Sequence, residues 1–199
     1  MHQRTASEEL IQTVLGADYV HLSTAEYTIQ ETMGQSDCSV KLKLLRNASR
    51  EHVDEITGTG VGFVDAVYNG LINHYAPEYP SLRTITFTGF EVTGNMGTSR
   101  SRGADAECLV SLIVNNSEGK EFRFEDRGRS LVAAALRVVV ESAEYFVNSE
   151  KAYVTVYNAM SDAKKRQRPD LMESYMSQLA ELVKTTSYSE VIERIQNEV

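Results

Sequence analysis

The sequence predicts an α+β fold: duplicated βββα units related by pseudo-twofold symmetry, two small antiparallel sheets packed through their helices, plus extra N- and C-terminal helices. Three observations carry this expectation. Short stretches in which apolar and polar residues alternate come in two groups of three, the pattern of half-buried strands. Each group runs into a glycine, Gly60 or Gly128, and then into a helical stretch. With Gly60 laid on Gly128, GVGFVDAVYNGL meets GRSLVAAALRVV; the identities are few, but the order of elements agrees. An antiparallel sheet can leave one face to water while the other needs a cover, and two such sheets sharing their helices give one core.

In chain order, Ser7 is placed to cap a short helix carrying Leu10, Ile11, Val14 and Leu15. Residues 27–33 read as a strand. Cys38–Arg46 is the cleanest alternating stretch, with Cys38, Val40, Leu42 and Leu44 on one side and Ser39, Lys41 and Lys43 on the other. After a turn at Asn47–Glu51, Val53–Thr57 makes a third strand. Val64, Val67, Tyr68, Leu71, Ile72 and Tyr75 then form one apolar helical stripe, ended by Pro77 and Pro80.

The second round begins with a strand over Leu82–Val92, followed by a polar loop, TGNMGTSRSRGAD. Glu107–Val114 alternates, NSEGK is a hairpin turn, and Glu121–Glu125 is a strand with Phe122 and Phe124. Ser130 is the expected N-cap of a long helix rich in Ala and Val. Beyond the basic cluster Lys164, Lys165, Arg166 and Arg168, a helix after Asp170 carries Leu171, Tyr175, Leu179 and Leu182 in one stripe, and Ser189 is placed to cap a last helix. The chain divides into an N-terminal helical extension (1–24), a duplicated core (25–160) and a C-terminal helical extension (161–199).

The stretch with most chemical content is GTGVGFVDA, Gly58–Ala66. Its glycines permit backbone angles with φ > 0. A glycine turn opening a helix leaves N–H groups free to face an anion such as a carboxylate. The spacing is not G-x-G-x-x-G, because Phe63 stands where the third glycine would be. No Gly-Lys-Ser/Thr follows, and no kinase motifs follow either. The plain alternative is a tight strand-to-helix connection with no ligand. Asp65, in the first helical turn, either faces a ligand ammonium or compensates the helix dipole.

The totals narrow the classes. The 199 residues carry a net charge of −8 and a pI near 5.1, which argues against a general nucleic-acid binder. No stretch is long and apolar enough to span a bilayer, so no membrane association is expected and a cytoplasmic location is. Cys38 and Cys108 lie in strand-like apolar contexts and read as reduced core residues. The histidines, His2, His21, His52 and His74, are scattered and suggest no metal site.

On these residues the chain resembles the C-terminal regulatory domain of α-isopropylmalate synthase, to which a domain of citramalate synthases is related. Gly60–Ala66, G-V-G-F-V-D-A, is similar to that family's G-x-G-P-V-D-A. Gly103-Ala-Asp105-Ala106 is similar to its G-x-D-A, and the duplicated βββα order and the junction at Gly128–Ser130 resemble it too. The likeness covers roughly residues 25–160. It implies a homodimer that binds an end-product amino acid, leucine or isoleucine, near the dimer interface, with a role in branched-chain amino-acid biosynthesis. It implies a ligand set of Gly60, Gly62, Phe63, Asp65, Ala66, Gly103, Asp105, Ala106, Gly128 and Ser130, without a cofactor. Two departures stand out: Phe63 replaces the family's proline, and Leu131, Val132 and Ala133 follow Ser130 where the family has an aspartate.

The synthases' catalytic part is a TIM barrel of typically ~250 residues with a His-x-His metal pair, and this sequence contains neither. The expectation is therefore a non-catalytic module, either free-standing or a piece of a longer synthase, with a synthase as candidate partner. Met1 and the capped terminal helices favour the free-standing form. Two other classes stay open: a structural or interaction protein that has kept the fold and lost the pocket, and an enzyme acting on a small anion through Arg100 and Arg102.

Overall fold

A computed structural model of the chain describes residues 2–32, 34, 37–94 and 107–185. Helix α1 spans His2–Leu15, and a 3-10 turn at Gly16–Asp18 leads into strands β1 (Leu22–Glu31), β2 (Cys38–Arg46) and β3 (Ser49–Gly60). Helix α2 (Phe63–Tyr75) and a 3-10 segment (Pro80–Thr84) connect to strands β4 (Thr86–Gly94), β5 (Cys108–Asn115) and β6 (Glu121–Gly128). Helices α3 (Leu131–Lys165) and α4 (Pro169–Leu182) follow.

The duplicated α+β architecture is present. β1-β2-β3 and β4-β5-β6 are separate three-stranded antiparallel sheets with the same order. The halves agree in register. Cys38 opens β2 opposite Gly60, the last residue of β3, and Cys108 opens β5 opposite Gly128, the last residue of β6. Both edge strands slip register at the same place: between Thr24 and Glu26 in β1, just after Thr24 has faced Leu44, and between Phe87 and Gly89 in β4, just after Phe87 has faced Val114. An added residue of this kind bends an edge strand and sharpens its twist.

The alternating pattern puts Val40, Leu42 and Leu44 of β2 and Val110, Leu112 and Val114 of β5 into the core. The superposition of Gly60 on Gly128 lays Ala66, Val67, Gly70, Leu71 and Tyr75 of α2 on Ala134, Ala135, Val138, Val139 and Ala143 of α3, and all ten are buried. Removing a side chain such as Leu42 or Leu112 from water stabilises the fold by about 1.5–3 kcal/mol. α3 has 35 residues, so it runs about 50 Å. It covers β5 and β6 and touches α1, α2, α4 and β1. Phe122 and Phe124 of β6 meet Tyr145 and Phe146 of α3 with ring centroids 5.3–6.4 Å apart. Ile11 and Leu15 of α1 and Leu182 of α4 belong to the same buried cluster.

Several boundaries differ from expectation, each for a local reason. Ser7 lies inside α1, which starts at His2, so it is not the helix cap. β1 begins at Leu22, ahead of any visible alternation, because its backbone pairs with β2 from Arg46 onward. Gly58 and Gly60 belong to β3 and not to a turn. Leu82–Thr84 is 3-10 helix and not strand: Pro80 opens it, and the fully buried Glu150 of α3 accepts both the N–H and the hydroxyl of Ser81 (3.0 and 2.6 Å). Asn47 and Ala48 form the β2–β3 turn with positive φ (52° and 55°). The helix proposed after Ser189 lies outside the described residues.

Candidate functional site

The Gly58–Ala66 stretch is shaped by close approach. Gly58, Gly60 and Gly62 are absent from the described glycines with positive φ, which are Gly16, Gly34 and Gly119, so the expected use of φ > 0 is not what fixes them. A Cβ on Gly58 would strike the Ala66 carbonyl and the backbone of Gly70, and one on Gly60 would strike the Asp65 carboxylate and the Ala66 backbone. β3 and α2 are thereby pressed together.

The two helix starts are capped differently. At α2 the N-cap is Gly62, without a side-chain cap, and exposed Asp65 reaches back to accept the Val61 N–H (3.0 Å). At α3 the N-cap is Ser130, whose hydroxyl accepts the Ala133 N–H (3.2 Å), as expected. Asp65 thus has a structural partner in the turn, which is what its first-turn position offers without a ligand. Phe63 is half-buried against the core. The Ala66 N–H is spent on the Gly62 carbonyl (2.9 Å). Gly103, Asp105 and Ala106, with Arg100 and Arg102, lie outside the described residues.

A cavity of about 410 Å³ sits between β1 and the N-terminal half of α3, within the ~300–1,000 Å³ of typical small-molecule sites. Leu22, Ala25, Ala133, Leu136 and Val140 give it apolar walls; Ser23, Thr24, Tyr27, Asp126, Arg137, Glu141 and Glu144 give it polar ones. The α3 residues recur at helical spacing and so share one face. Asp126 and Ala133 bracket the Gly128–Ser130 junction, whereas Gly60, Gly62, Phe63, Asp65 and Ala66 do not line the cavity.

The wall of the cavity is pinned by α3. Glu144 Oε2 accepts the Leu22 N–H (2.6 Å), and its Oε1 lies 3.4 Å from His21 Nδ1 and 3.5 Å from the Tyr19 hydroxyl. Burial pushes the Glu144 carboxyl above its usual range, against the opposing pull of the Leu22 N–H and of His21, and Glu141 adds to the rise. Fully buried Asn148 accepts the Val20 N–H (2.9 Å) and donates to the carbonyls of Val20 and Glu144 (2.8 and 2.9 Å). Arg137 reaches Asp126 Oδ2 through Nε and Nη2 (2.8 and 2.6 Å).

The matching place in the other half is filled. The rings of Tyr68 (α2) and Phe87 (β4) meet at 4.1 Å, and the Tyr68 hydroxyl donates to the carbonyls of Leu82 and Ile85 (3.2 and 2.9 Å). Burial raises the Tyr68 phenol well above its ordinary value.

A second polar group assembles at the far end of α2. Asp54 Oδ2 accepts from the Tyr75 hydroxyl and from Arg46 Nε (both 2.6 Å), and His74 Nε2 lies 3.6 Å from Oδ1. Burial alone would raise the Asp54 carboxyl; the hydrogen bonds from Tyr75 and Arg46, and the charges of Arg46 and His74, outweigh it and hold it low. His21 and His74, scattered in sequence, therefore each stand beside a carboxylate. Cys38 and Cys108 are both free thiols, and Cys108 Sγ donates to the Gly128 carbonyl (3.2 Å). Among the described residues, no helix is long and apolar enough to cross a membrane.

The cavity residues were not singled out from sequence. The signal was present in the duplication: carried beyond the helix starts, the same superposition lays Tyr68 on Leu136, an aromatic plug on an aliphatic wall.

Fold and cavity together define a duplicated βββα protein with a small-molecule-sized cleft between its halves. No family model matches the chain, and no curated protein matches it.

Proposed function

We propose that this chain is a non-catalytic, amino-acid-binding regulatory and dimerisation domain, resembling that of α-isopropylmalate synthase and serving branched-chain amino-acid biosynthesis in the cytoplasm. Its ligand is leucine or isoleucine, its form is a homodimer, and its partner is a synthase catalytic subunit or barrel. The observation that carries the reading is the cavity between β1 and α3: apolar Leu22, Leu136 and Val140 suit a branched side chain, and Arg137, Glu141 and Glu144 suit the two charges of an amino acid. A thermal-shift screen against the twenty amino acids, with mass measured in solution, tests it. A ligand that binds only the folded state stabilises by about 2.7 kcal/mol at a hundred times its Kd. The expected result is a dimer stabilised by leucine or isoleucine; a chain that no amino acid stabilises contradicts the reading.

One observation favours a second reading, a structural or interaction protein that has lost the ligand site. Asp65 closes back onto the Val61 N–H at the glycine junction. On that reading the chain remains a dimer, ignores amino acids and binds a protein partner.

A further inference from the structure

The two halves place different side chains at the same point. Thr24 and Phe87 each stand just before the register slip of their edge strand, and Leu136 and Tyr68 coincide when Gly60 is laid on Gly128. Where β4 meets α2, the Phe87 and Tyr68 rings fill the space at 4.1 Å. Where β1 meets α3, Thr24 and Leu136 line a cavity of about 410 Å³. On the α3 side of that cavity, Arg137 and Glu141 lie one helical turn apart, a spacing that sets their Cβ atoms about 6 Å from each other, so side chains of opposite charge border the apolar surface. Arg137 uses Nε and Nη2 on Asp126, and a guanidinium has five N–H donors in all.

We infer that each chain has a single ligand site, in which an aliphatic α-amino acid lies with its carboxylate at Arg137, its ammonium toward Glu141 and Glu144, and its side chain on Leu22, Leu136 and Val140, while the equivalent site in the other half is closed by Tyr68 and Phe87. This rests on the amino-acid-binding reading and adds to it the place, the orientation and the number. An ammonium beside Glu144 offsets the cost of burying that carboxylate.

Calorimetric titration of the full chain with leucine and isoleucine tests it, with isocaproate (no ammonium) and isoamylamine (no carboxylate) as probes. The expected result is one ligand per chain, with each probe at least about tenfold weaker than the amino acid. In Arg137→Met the amino acid loses its advantage over isoamylamine. The double change Thr24→Phe with Leu136→Tyr, which copies the closed half, abolishes binding. Arg137 is half-exposed, so its variant carries the test if the double change fails to fold. Two ligands per wild-type chain, or amino-acid binding untouched by Arg137→Met, overturns this inference while leaving the amino-acid reading intact; absence of any amino-acid heat overturns both.

Discussion

Gly58 of β3 and Gly70 of α2 meet backbone to backbone: a Cβ on Gly58 would stand 2.9 Å from the Gly70 Cα and 2.7 Å from its nitrogen. Strand and helix backbones can approach this closely only when both residues lack a side chain. Gly58→Ala is expected to destabilise the protein by about 3 kcal/mol in denaturant titration, as overpacking of a backbone contact does. Gly62→Ala is the contrast. A Cβ there meets nothing within 4 Å and φ is −149°, so the change is expected to stay under about 1 kcal/mol. Equal losses at the two positions would contradict close approach as the reason for the glycines.

The Asp54 cluster gives a pH dependence. Its carboxyl titrates lower in the folded chain than its ordinary value of 3.8. For a depressed carboxyl the stabilisation is present above the unfolded pKa and is lost as pH falls through the folded one. Asp54→Asn is therefore expected to lower stability at neutral pH by about 1–3 kcal/mol. The gap to wild type should close as pH drops below the usual carboxylate range. A pH-independent gap would mean that shape, and not charge, matters at this position.

Asn148 holds both backbone groups of Val20 in a fully buried setting. Asn148→Ala leaves a buried N–H and C=O unpaired, and about 3 kcal/mol of destabilisation is expected. Because Tyr19–Leu22 leads directly into the cavity wall, amino-acid affinity is expected to fall as well. Hydrogen exchange at Leu22–Thr24 should rise ahead of the rest of β1.

Two changes are expected to help or do no harm. Exposed Ala48 sits at φ 55°, a conformation costly for a residue with a Cβ, so Ala48→Gly should raise stability by up to about 1 kcal/mol. The Thr24 hydroxyl is buried without a hydrogen-bond partner, so Thr24→Val should be neutral or stabilising in thermal melts. A clear loss at either site would contradict the local geometry.

Much of the fold was legible in the sequence because local patterns and tertiary packing agreed. β2 was readable at both ends, since every second residue from Cys38 to Leu44 faces the core. α2 starts one residue before its expected first residue, and Ser130 caps as its chemistry dictates. What was not legible depends on distant partners. Leu22 begins a strand through pairing with Arg46 and is held by Glu144, far along the chain. Ser81 turns away from strand geometry because Glu150 captures it. The cavity follows the same rule: Thr24 and Leu136 are ordinary residues in their own stretches and matter only because their counterparts are Phe87 and Tyr68.

The glycine junction and the cavity make competing claims on a ligand, and chemical-shift mapping of the isotopically labelled chain titrated with leucine and isoleucine separates them most directly. Perturbations are expected to centre on Leu22–Tyr27 and on Ala133–Glu144, with Gly60–Ala66 little changed. Perturbations centred on Gly60–Ala66, or no perturbation at saturating amino acid, would contradict a ligand site in the cavity.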